Sequence, residues 1–228
     1  MEPVLIIGLF ILVAAAIGVY GYYRREQRRK ELAAWAETRG LQFDPGRYWD
    51  MDESYPAFSC LKEGNRRYAY NVMGGKRNDR VLLAFDYHYE TYSTNSKGHR
   101  QTHHHYFSAI IVETGLPLKS LVIRPEGFFD RITEFFGFDD IDFESAEFSR
   151  KFYVKSPDKR WAYDVIHQET MEFLLSSPTY TLEIDGPRVI AFRKSTFSTR
   201  EFDEAIQLIE GVLDRIPQSV LQELVEVE

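Results

Sequence analysis

The segment VLIIGLFILVAAAIGVYGYY, residues 4–23, contains twenty residues and no charged side chain. As an α-helix it is about 30 Å long, which matches the hydrocarbon thickness of a bilayer. It therefore predicts a single transmembrane anchor within residues 1–23, and the lipid bilayer is the expected partner of residues 4–23. The alternative is a cleaved signal peptide, because Ala14, Ala15 and Ala16 resemble a cleavage site. Against this alternative, no basic residue precedes the apolar run, which also continues past the alanines.

The segment that follows, RREQRRK at residues 24–30, carries five positive charges, whereas only Glu2 is charged before it. By the positive-inside rule, this basic flank stays in the cytoplasm. The sequence thus predicts a single-pass protein of the inner (cell) membrane. Apolar residues at helical spacing, with Gly40 as a stop, predict a basic juxtamembrane helix over residues 24–40. A cytoplasmic domain then comprises residues 41–228.

Charge and cysteine content restrict the function of this domain. From Glu31 onward there are 23 basic and 33 acidic side chains, which give a formal charge of −10. Such a surface repels nucleic acid, so we expect no nucleic-acid partner. Cys60 is the only cysteine, which excludes an intrachain disulfide and a CxxC zinc site. We expect it on a strand, as a small buried hydrophobe.

The remaining pattern predicts an α+β domain in which a mainly antiparallel sheet is backed by helices. Apolar runs predict two strands that turn at residues 63–65, and a longer hairpin whose polar tip spans residues 94–101. Another hairpin is expected at residues 186–187, where TYTLEID precedes RVIAFRK. A phenylalanine-rich helix is predicted over residues 127–137. A capping box at residues 198–201 predicts the start of an amphipathic helix.

Two runs resemble a known family: RPEGFFDRITEFFGFDDIDFES at residues 124–145, and EFSRKFYVKSPDKRWAYDVIHQETMEFLL at residues 147–175. They are similar to an uncharacterised family of bacterial membrane-anchored proteins, a domain of unknown function. The resemblance extends from Gly40 to Arg193 and includes the strand that carries FDYHYE. It implies a bacterial origin and an anchor followed by one domain. It implies no activity, cofactor or catalytic residue.

Histidines and carboxylates converge in the predicted hairpin that joins FDYHYE and HHHYF. With the turn at the centre of the tip, His88 lies opposite His105. In the same register, Glu90 lies opposite His103. Imidazoles and carboxylates at cross-strand distance suit zinc or another divalent metal, so the candidate metal ligands are His88, Glu90, His103 and His105. The alternative is no cofactor, with solvated histidines near the tip. A change of register by one residue would instead turn His104 inward.

Two other segments offer further candidates. The acidic run at residues 139–144 is either a solvated turn or a calcium or magnesium site, but it lacks the glycine and the spacing of an EF-hand loop. The phenylalanines within residues 128–138 either pack in the core or insert into a membrane surface. A polar face with two acidic residues and one arginine favours the core, because membrane-surface helices usually carry basic residues there.

The chain contains no nucleophile elbow, phosphate-binding loop or dinucleotide fingerprint. We therefore expect a membrane-anchored cytoplasmic interaction or scaffold domain, which works with a protein partner, in preference to an enzyme. The alternative is a metal-dependent, hydrolase-like enzyme built on the histidine hairpin. Metal analysis of protein purified without a polyhistidine tag distinguishes the two.

Overall fold

One continuous helix, α1 (Pro3–Glu37), joins the predicted anchor to the predicted basic helix without a break. The computed structural model describes residues 3–77, 80–127 and 141–226, with side chains from residue 7 onward. Large apolar side chains near its start are exposed, among them Phe10 at 72% and Tyr20 at 63%. By its length and composition, this helix can cross a membrane.

Six strands and six further helices follow in the described part of the chain. The strands are β1 (Gln42–Tyr48), β2 (Asn65–Arg77), β3 (Arg80–Thr94), β4 (Arg100–Pro125), β5 (Phe152–Lys155) and β6 (Thr181–Arg193). The helices are α2 (Met51–Ser54), α3 (Ala146–Lys151), α4 (Lys159–Val165), α5 (Gln168–Ser176), α6 (Thr199–Leu213) and α7 (Gln218–Glu226), with a 3₁₀ turn at Ser59–Lys62. The phenylalanine-rich segment at residues 128–138 and the acids Asp139 and Asp140 lie outside the described residues.

The six strands form one antiparallel sheet in which the pairing runs β1–β2–β3–β4–β5. The long strand β4 pairs with β3 near its start and with β5 near its end, and β6 pairs with the other edge of β4. The predicted α+β fold, with a mainly antiparallel sheet backed by helices, is therefore confirmed. β1 replaces a predicted loop, because an edge strand with a bulge accommodates Pro45 without losing a hydrogen bond within the sheet. The 3₁₀ turn replaces the first predicted strand before β2, and Cys60 is buried within that turn.

β4 and β6 both change conformation at one level of the sheet, and the hairpin predicted at residues 186–187 does not form. TYTLEID and RVIAFRK belong to the single strand β6, which pairs with β4 on both sides of this point. Gly186 and Gly115 have φ angles of +53° and +69°, so each provides a left-handed residue at an irregularity of the pairing. Thr114 Oγ1 donates a hydrogen bond to the Pro187 carbonyl at 3.1 Å across the gap. Because glycine and proline mark bulges as well as tight turns, the sequence pattern did not separate the two.

Both faces of the sheet are covered. On one face, Ala84 belongs to a large core that includes Phe202 of α6, and α6 begins at the predicted capping box of residues 198–201. On the other face, Tyr87 belongs to a smaller core closed by α2 and the 3₁₀ turn, with Leu61 fully buried. The alternation of side chains along β3 therefore supplies two separate cores.

The last third of α1 belongs to the large core, which places the start of the domain earlier than residue 41. Leu32, Trp35 and Ala36 are at most 5% exposed. The ring of Trp35 lies 5.3 Å from that of Phe202, centroid to centroid. The apolar face of this helical segment is covered by the sheet and α6, so the large core contains residues on both sides of the predicted boundary at residue 41.

This boundary predicts the behaviour of truncated chains. A chain that begins at Arg24 should be soluble and should unfold cooperatively in a circular dichroism melt. A chain that begins at Leu41 should aggregate or melt without cooperativity, because removal of one large buried side chain such as Leu32 or Trp35 already costs about 2–5 kcal/mol. Equal melting temperatures for the two chains would show that α1 is not part of the core.

Candidate functional site

A fully buried carboxylate lies where α1 meets the sheet. Asp86 of β3 is 0% exposed and accepts two hydrogen bonds from Arg28 of α1, from Nε at 2.9 Å and from Nη2 at 2.6 Å. Asn71 Nδ2 and Ser108 Oγ donate to the same carboxylate at 2.9 and 2.6 Å. Arg28 also donates to the carbonyl of Phe197 at 2.9 Å. The buried charge is thus paired and hydrogen bonded on both oxygens, which is the condition under which proteins tolerate one.

Burial and neighbouring charge shift the pKa values of Arg28 and Tyr70. Burial lowers the pKa of Arg28, but the hydrogen bond and the charge of Asp86 raise it by more, so this pKa lies above its ordinary value. Tyr70 lies opposite Asp86 on β2. Burial, and then the negative charge of Asp86, raises the pKa of Tyr70 well above its usual range, so its side chain is a neutral phenol at physiological pH.

A cleft of about 630 Å³ opens beside the ion pair, between the basic part of α1 and the sheet. We call it the arginine–tyrosine cleft. Its lining residues are Arg25, Arg28, Arg29, Pro45, Arg47, Tyr68, Tyr70, Asn71, Tyr106 and Thr196. The volume falls in the range of about 300–1,000 Å³ that is usual for small-ligand sites.

The cleft contains positive charge that no carboxylate of the described residues neutralises. Arg25, Arg29 and Arg47 are exposed, and among the described residues none of them forms an ion pair with a carboxylate. The Arg47 guanidinium instead lies over the ring of Tyr68, 4.6 Å from its centroid. Guanidinium groups from two elements, α1 and β1, are therefore available to an anionic ligand.

One buried acceptor in the lining of the cleft lacks a donor. Asn71 is 3% exposed, and its Oδ1 has no hydrogen-bond partner among the described residues, although its Nδ2 donates to Asp86. An unpaired buried acceptor costs about 1–3 kcal/mol. Asn71 Oδ1 is enclosed in this conformation, so a ligand hydroxyl would donate to it and recover part of this energy only after a neighbouring side chain moves aside. The cleft thus combines positive charge with one acceptor for a neutral donor.

The histidine hairpin forms, but in a register that differs by one residue from the predicted one. Tyr106 lies opposite His88, and His104 lies opposite Glu90. His104 therefore joins His88 and Glu90 on one face, in place of its two histidine neighbours. The predicted cross-strand pairs were wrong, because the polar tip of the hairpin carries no feature that defines the centre of the turn to within one residue.

His103 and His105 lie on the opposite face of the hairpin and contact other residues. His103 Nε2 is 2.6 Å from Ser93 Oγ, and His105 Nε2 is 2.7 Å from Thr91 Oγ1. The His105 ring also stacks on Tyr89, with centroids 4.6 Å apart. Burial and the neighbouring His103 lower the pKa of His105. These two histidines are therefore separated by the sheet from the other two predicted ligands.

The cluster of His88, Glu90 and His104 has dimensions that suit a metal ion. His88 Nε2 lies 3.1 Å from His104 Nδ1, and His104 Nδ1 lies 3.7 Å from Glu90 Oε1. Ligand atoms of a tetrahedral zinc ion, each about 2.0 Å from the metal, are about 3.3 Å apart. Burial lowers the pKa of His88, which favours the neutral imidazole that binds metals. His88 Nε2 and His104 Nδ1 contact each other directly without an ion, whereas the buried His88 Nδ1 has no hydrogen-bond partner among the described residues.

His88 is buried, whereas the alternative without a metal predicted solvated histidines near the tip of the hairpin. It is 3% exposed and lies between the rings of Tyr68 and Tyr106, at centroid distances of 4.6 and 4.9 Å. Both tyrosines also line the arginine–tyrosine cleft. The histidine cluster and the cleft are therefore neighbouring parts of one polar surface.

The sequence contained only part of the information needed to find the cleft. Arg25 and Arg29 are four residues apart and so share one face of α1, and the alternation RRYAY places Tyr68 and Tyr70 on one face of β2. Arg47 carried no such signal, because it reaches the cleft only through the pairing of β1 with β2.

Comparison with known proteins supports the fold. No family model and no curated protein matches the sequence. Among solved structures, the crystal structure of the mycobacterial trehalose monomycolate transport factor A, TtfA, is similar, with a TM-score of 0.60 and 12% sequence identity. The match covers 83% of this chain and 96% of that chain. At this level of identity, the likeness concerns the fold alone.

The ion pair makes a prediction about stability. In a chain that begins at Arg24, Arg28→Met should lower the free energy of unfolding by about 3–5 kcal/mol, because Asp86 stays buried without its cation. Arg160→Met is the control. The side chains of Arg160 and its partner Glu223 are 75% and 62% exposed, and loss of such an ion pair costs about 1 kcal/mol or less.

Urea unfolding measures both changes. Equal losses for the two variants at neutral pH would contradict a special role for the buried pair.

Proposed function

We propose that the protein is a membrane-anchored interaction domain on the cytoplasmic side of a bacterial inner membrane, where it assists a membrane transport system. The observation that carries this proposal is the continuity of α1, which extends from the apolar segment into the core. There, Arg28 and Trp35 hold the helix against the sheet and α6. A helix held in this way orients the domain relative to the membrane, whereas a flexible linker would only tether it.

The contacts of α1 also indicate which end of the domain faces the bilayer. Arg25 and Tyr68 both line the arginine–tyrosine cleft, and Leu41, after the helix, packs closely on Gly75. α1 therefore runs along β2, with its apolar segment beyond the Tyr68 end. β3 and β4 extend past this end to their tip at residues 95–99. The hairpin is thus on the membrane side, where it can meet a membrane-embedded partner.

Charge and likeness support the rest of the proposal. The basic residues that follow the apolar segment favour a cytoplasmic domain. The fold likeness to TtfA, a transport factor, favours a transport role. The resemblance to an uncharacterised family of bacterial membrane-anchored proteins favours a bacterial membrane. No catalytic signature in the sequence competes with this interaction role.

Site-specific photocrosslinking in cells tests the interaction and its geometry. We expect a photoreactive residue at position 97, on the hairpin tip, to crosslink a membrane protein. Position 163 on α4 is the matched control, because Tyr163 is 48% exposed but lies at the other end of the sheet. Four glycines inserted between Tyr23 and Arg24 should reduce the crosslink at position 97 by about fivefold or more, since a flexible joint lowers the effective concentration of the tip at its partner.

Two results would count against this role. Crosslinks of equal yield at positions 97 and 163, unaffected by the glycine insertion, would show that orientation does not matter. The second result concerns sidedness. A reporter that is active only in the periplasm should be silent when fused after Glu228, and activity there would overturn the cytoplasmic assignment.

A second candidate function, a metal-dependent and hydrolase-like enzyme, is favoured by the convergence of His88, Glu90 and His104. We expect the metal-free state, because His88 Nε2 and His104 Nδ1 already lie 3.1 Å apart and Tyr92 donates a hydrogen bond to Glu90 at 3.1 Å. Zinc added to untagged protein should therefore leave the melting temperature unchanged.

If the cluster does bind zinc, both the expected stabilisation and the variants that should abolish it are defined. Zinc at 100 times its dissociation constant would stabilise the folded protein by about 2.7 kcal/mol. The double variant His88→Gln and His104→Gln should abolish such an increase, whereas His103→Gln with His105→Gln should not. That combination of results would establish a metal site and favour the enzyme.

A further inference from the structure

The arginine–tyrosine cleft lies close to the end of the apolar segment. Arg25 follows Tyr23 by two residues and Arg29 follows it by six, which corresponds to about 3 and 9 Å along the helix axis. The headgroup layer on each side of a bilayer is about 5–8 Å thick. With α1 across the membrane, Arg25 is therefore at the depth of the lipid headgroups, and Arg29 lies just beyond them on the side of the domain.

The chemistry of the cleft selects among ligands. Arg25, Arg29 and Arg47 present guanidinium groups from two sides, and guanidinium groups recognise phosphate oxygens well. Asn71 Oδ1 needs a donor that a bare phosphate diester does not have. The complementary ligand therefore carries a phosphate and, close to it, a hydroxyl.

We propose that the arginine–tyrosine cleft binds the phosphate-bearing, hydroxyl-containing headgroup of an anionic lipid in the adjacent leaflet. The proposal deepens the proposed function and rests on it for the location of the cleft at the membrane. A phosphoglycerol headgroup has both required groups. Its phosphate would contact the arginines, and its glycerol would lie among the tyrosines with a hydroxyl directed at Asn71.

A non-specific basic collar would also attract anionic lipid, at about 1 kcal/mol for each basic residue near the surface. The two explanations differ in the residues that matter. Arg24 is adjacent to Arg25 in the chain but does not line the cleft, and its guanidinium lies 5.9 Å from the ring of Tyr20. Arg47 is outside the collar but lines the cleft. A collar predicts that Arg24 matters at least as much as Arg47, whereas a cleft predicts that Arg47 matters more.

Titration of the full chain in a neutral detergent with short-chain dioctanoyl lipids tests the cleft. We expect dioctanoyl phosphatidylglycerol to bind saturably, and Arg47→Gln to weaken it by about tenfold, since a hydrogen bond to a charged group is lost. Arg24→Gln removes the same charge and should change the affinity by less than about twofold. Arg47 is exposed and forms no ion pair with a described residue, so the apo variant should melt like the unmodified protein.

Two further probes separate the headgroup features and the source of the phosphate. Dioctanoyl phosphatidylmethanol has the same charge as phosphatidylglycerol but no headgroup hydroxyl, and it should bind about fivefold less tightly if Asn71 accepts from that hydroxyl. Free glycerol 3-phosphate should bind more weakly than the lipid. Equal affinity for glycerol 3-phosphate would overturn the lipid as the source and assign the cleft to a soluble phosphate ester.

Equal effects of Arg24→Gln and Arg47→Gln, or no saturable binding, would overturn the proposed site. These measurements in detergent do not depend on the side of the membrane or on a protein partner. A failed crosslinking experiment would therefore leave a positive lipid result intact, and absent lipid binding would leave the interaction role intact.

Discussion

The buried ion pair between Arg28 and Asp86 is the constraint on which the rest of the structure depends. A carboxylate in the middle of a covered sheet face costs several kcal/mol unless a cation and further donors reach it. Asn71 and Ser108 supply neutral donors from the neighbouring strands, but only α1 supplies a charge. The pair therefore specifies where along the sheet the helix docks, in addition to whatever stability it contributes.

Because the same helix contains the apolar segment, the position of one ion pair has consequences outside the domain. Arg28 is held at Asp86, and Leu32 and Trp35 extend the contact into the core. The direction of α1 is thus defined over several helical turns. The hairpin of β3 and β4 and the arginine–tyrosine cleft then both lie at the end of the domain from which the apolar segment emerges.

Local sequence patterns predicted the elements of this fold better than their connections. The apolar run of residues 4–23, the capping box at residues 198–201 and the polar tip at residues 94–101 each depend on neighbouring residues, and each is present as expected. The strand β6 was mistaken for a hairpin because a bulge at Gly186 and a tight turn use the same residue types. Apolar residues at helical spacing predict the helix before residue 41, but only the tertiary structure reveals that this apolar face packs into the core of the domain.

The candidate site was harder to predict for a related reason. His88 and Glu90 were recognised because they alternate within one strand, whereas the choice of His104 over its neighbours depends on a register that the polar tip does not encode. The cleft depends on still longer connections, since Arg47 reaches Tyr68 only through the pairing of β1 with β2. Residues on one strand can be grouped from sequence, but residues on three elements cannot.

The location of the unpaired arginines is itself informative. From Glu31 onward the chain has ten more acidic than basic side chains, so many carboxylates could form an ion pair with an arginine. Arg47 nevertheless stacks on Tyr68 and faces the cleft. Membrane topology accounts for basic residues directly after the apolar segment, but it does not account for Arg47, which is distant from that segment in the chain. The fold uses Arg47 only through its stacking on Tyr68, which contributes about 0.5–1 kcal/mol at an exposed site. The proposed anionic ligand at the membrane surface would account both for the arginines that directly follow the apolar segment and for Arg47.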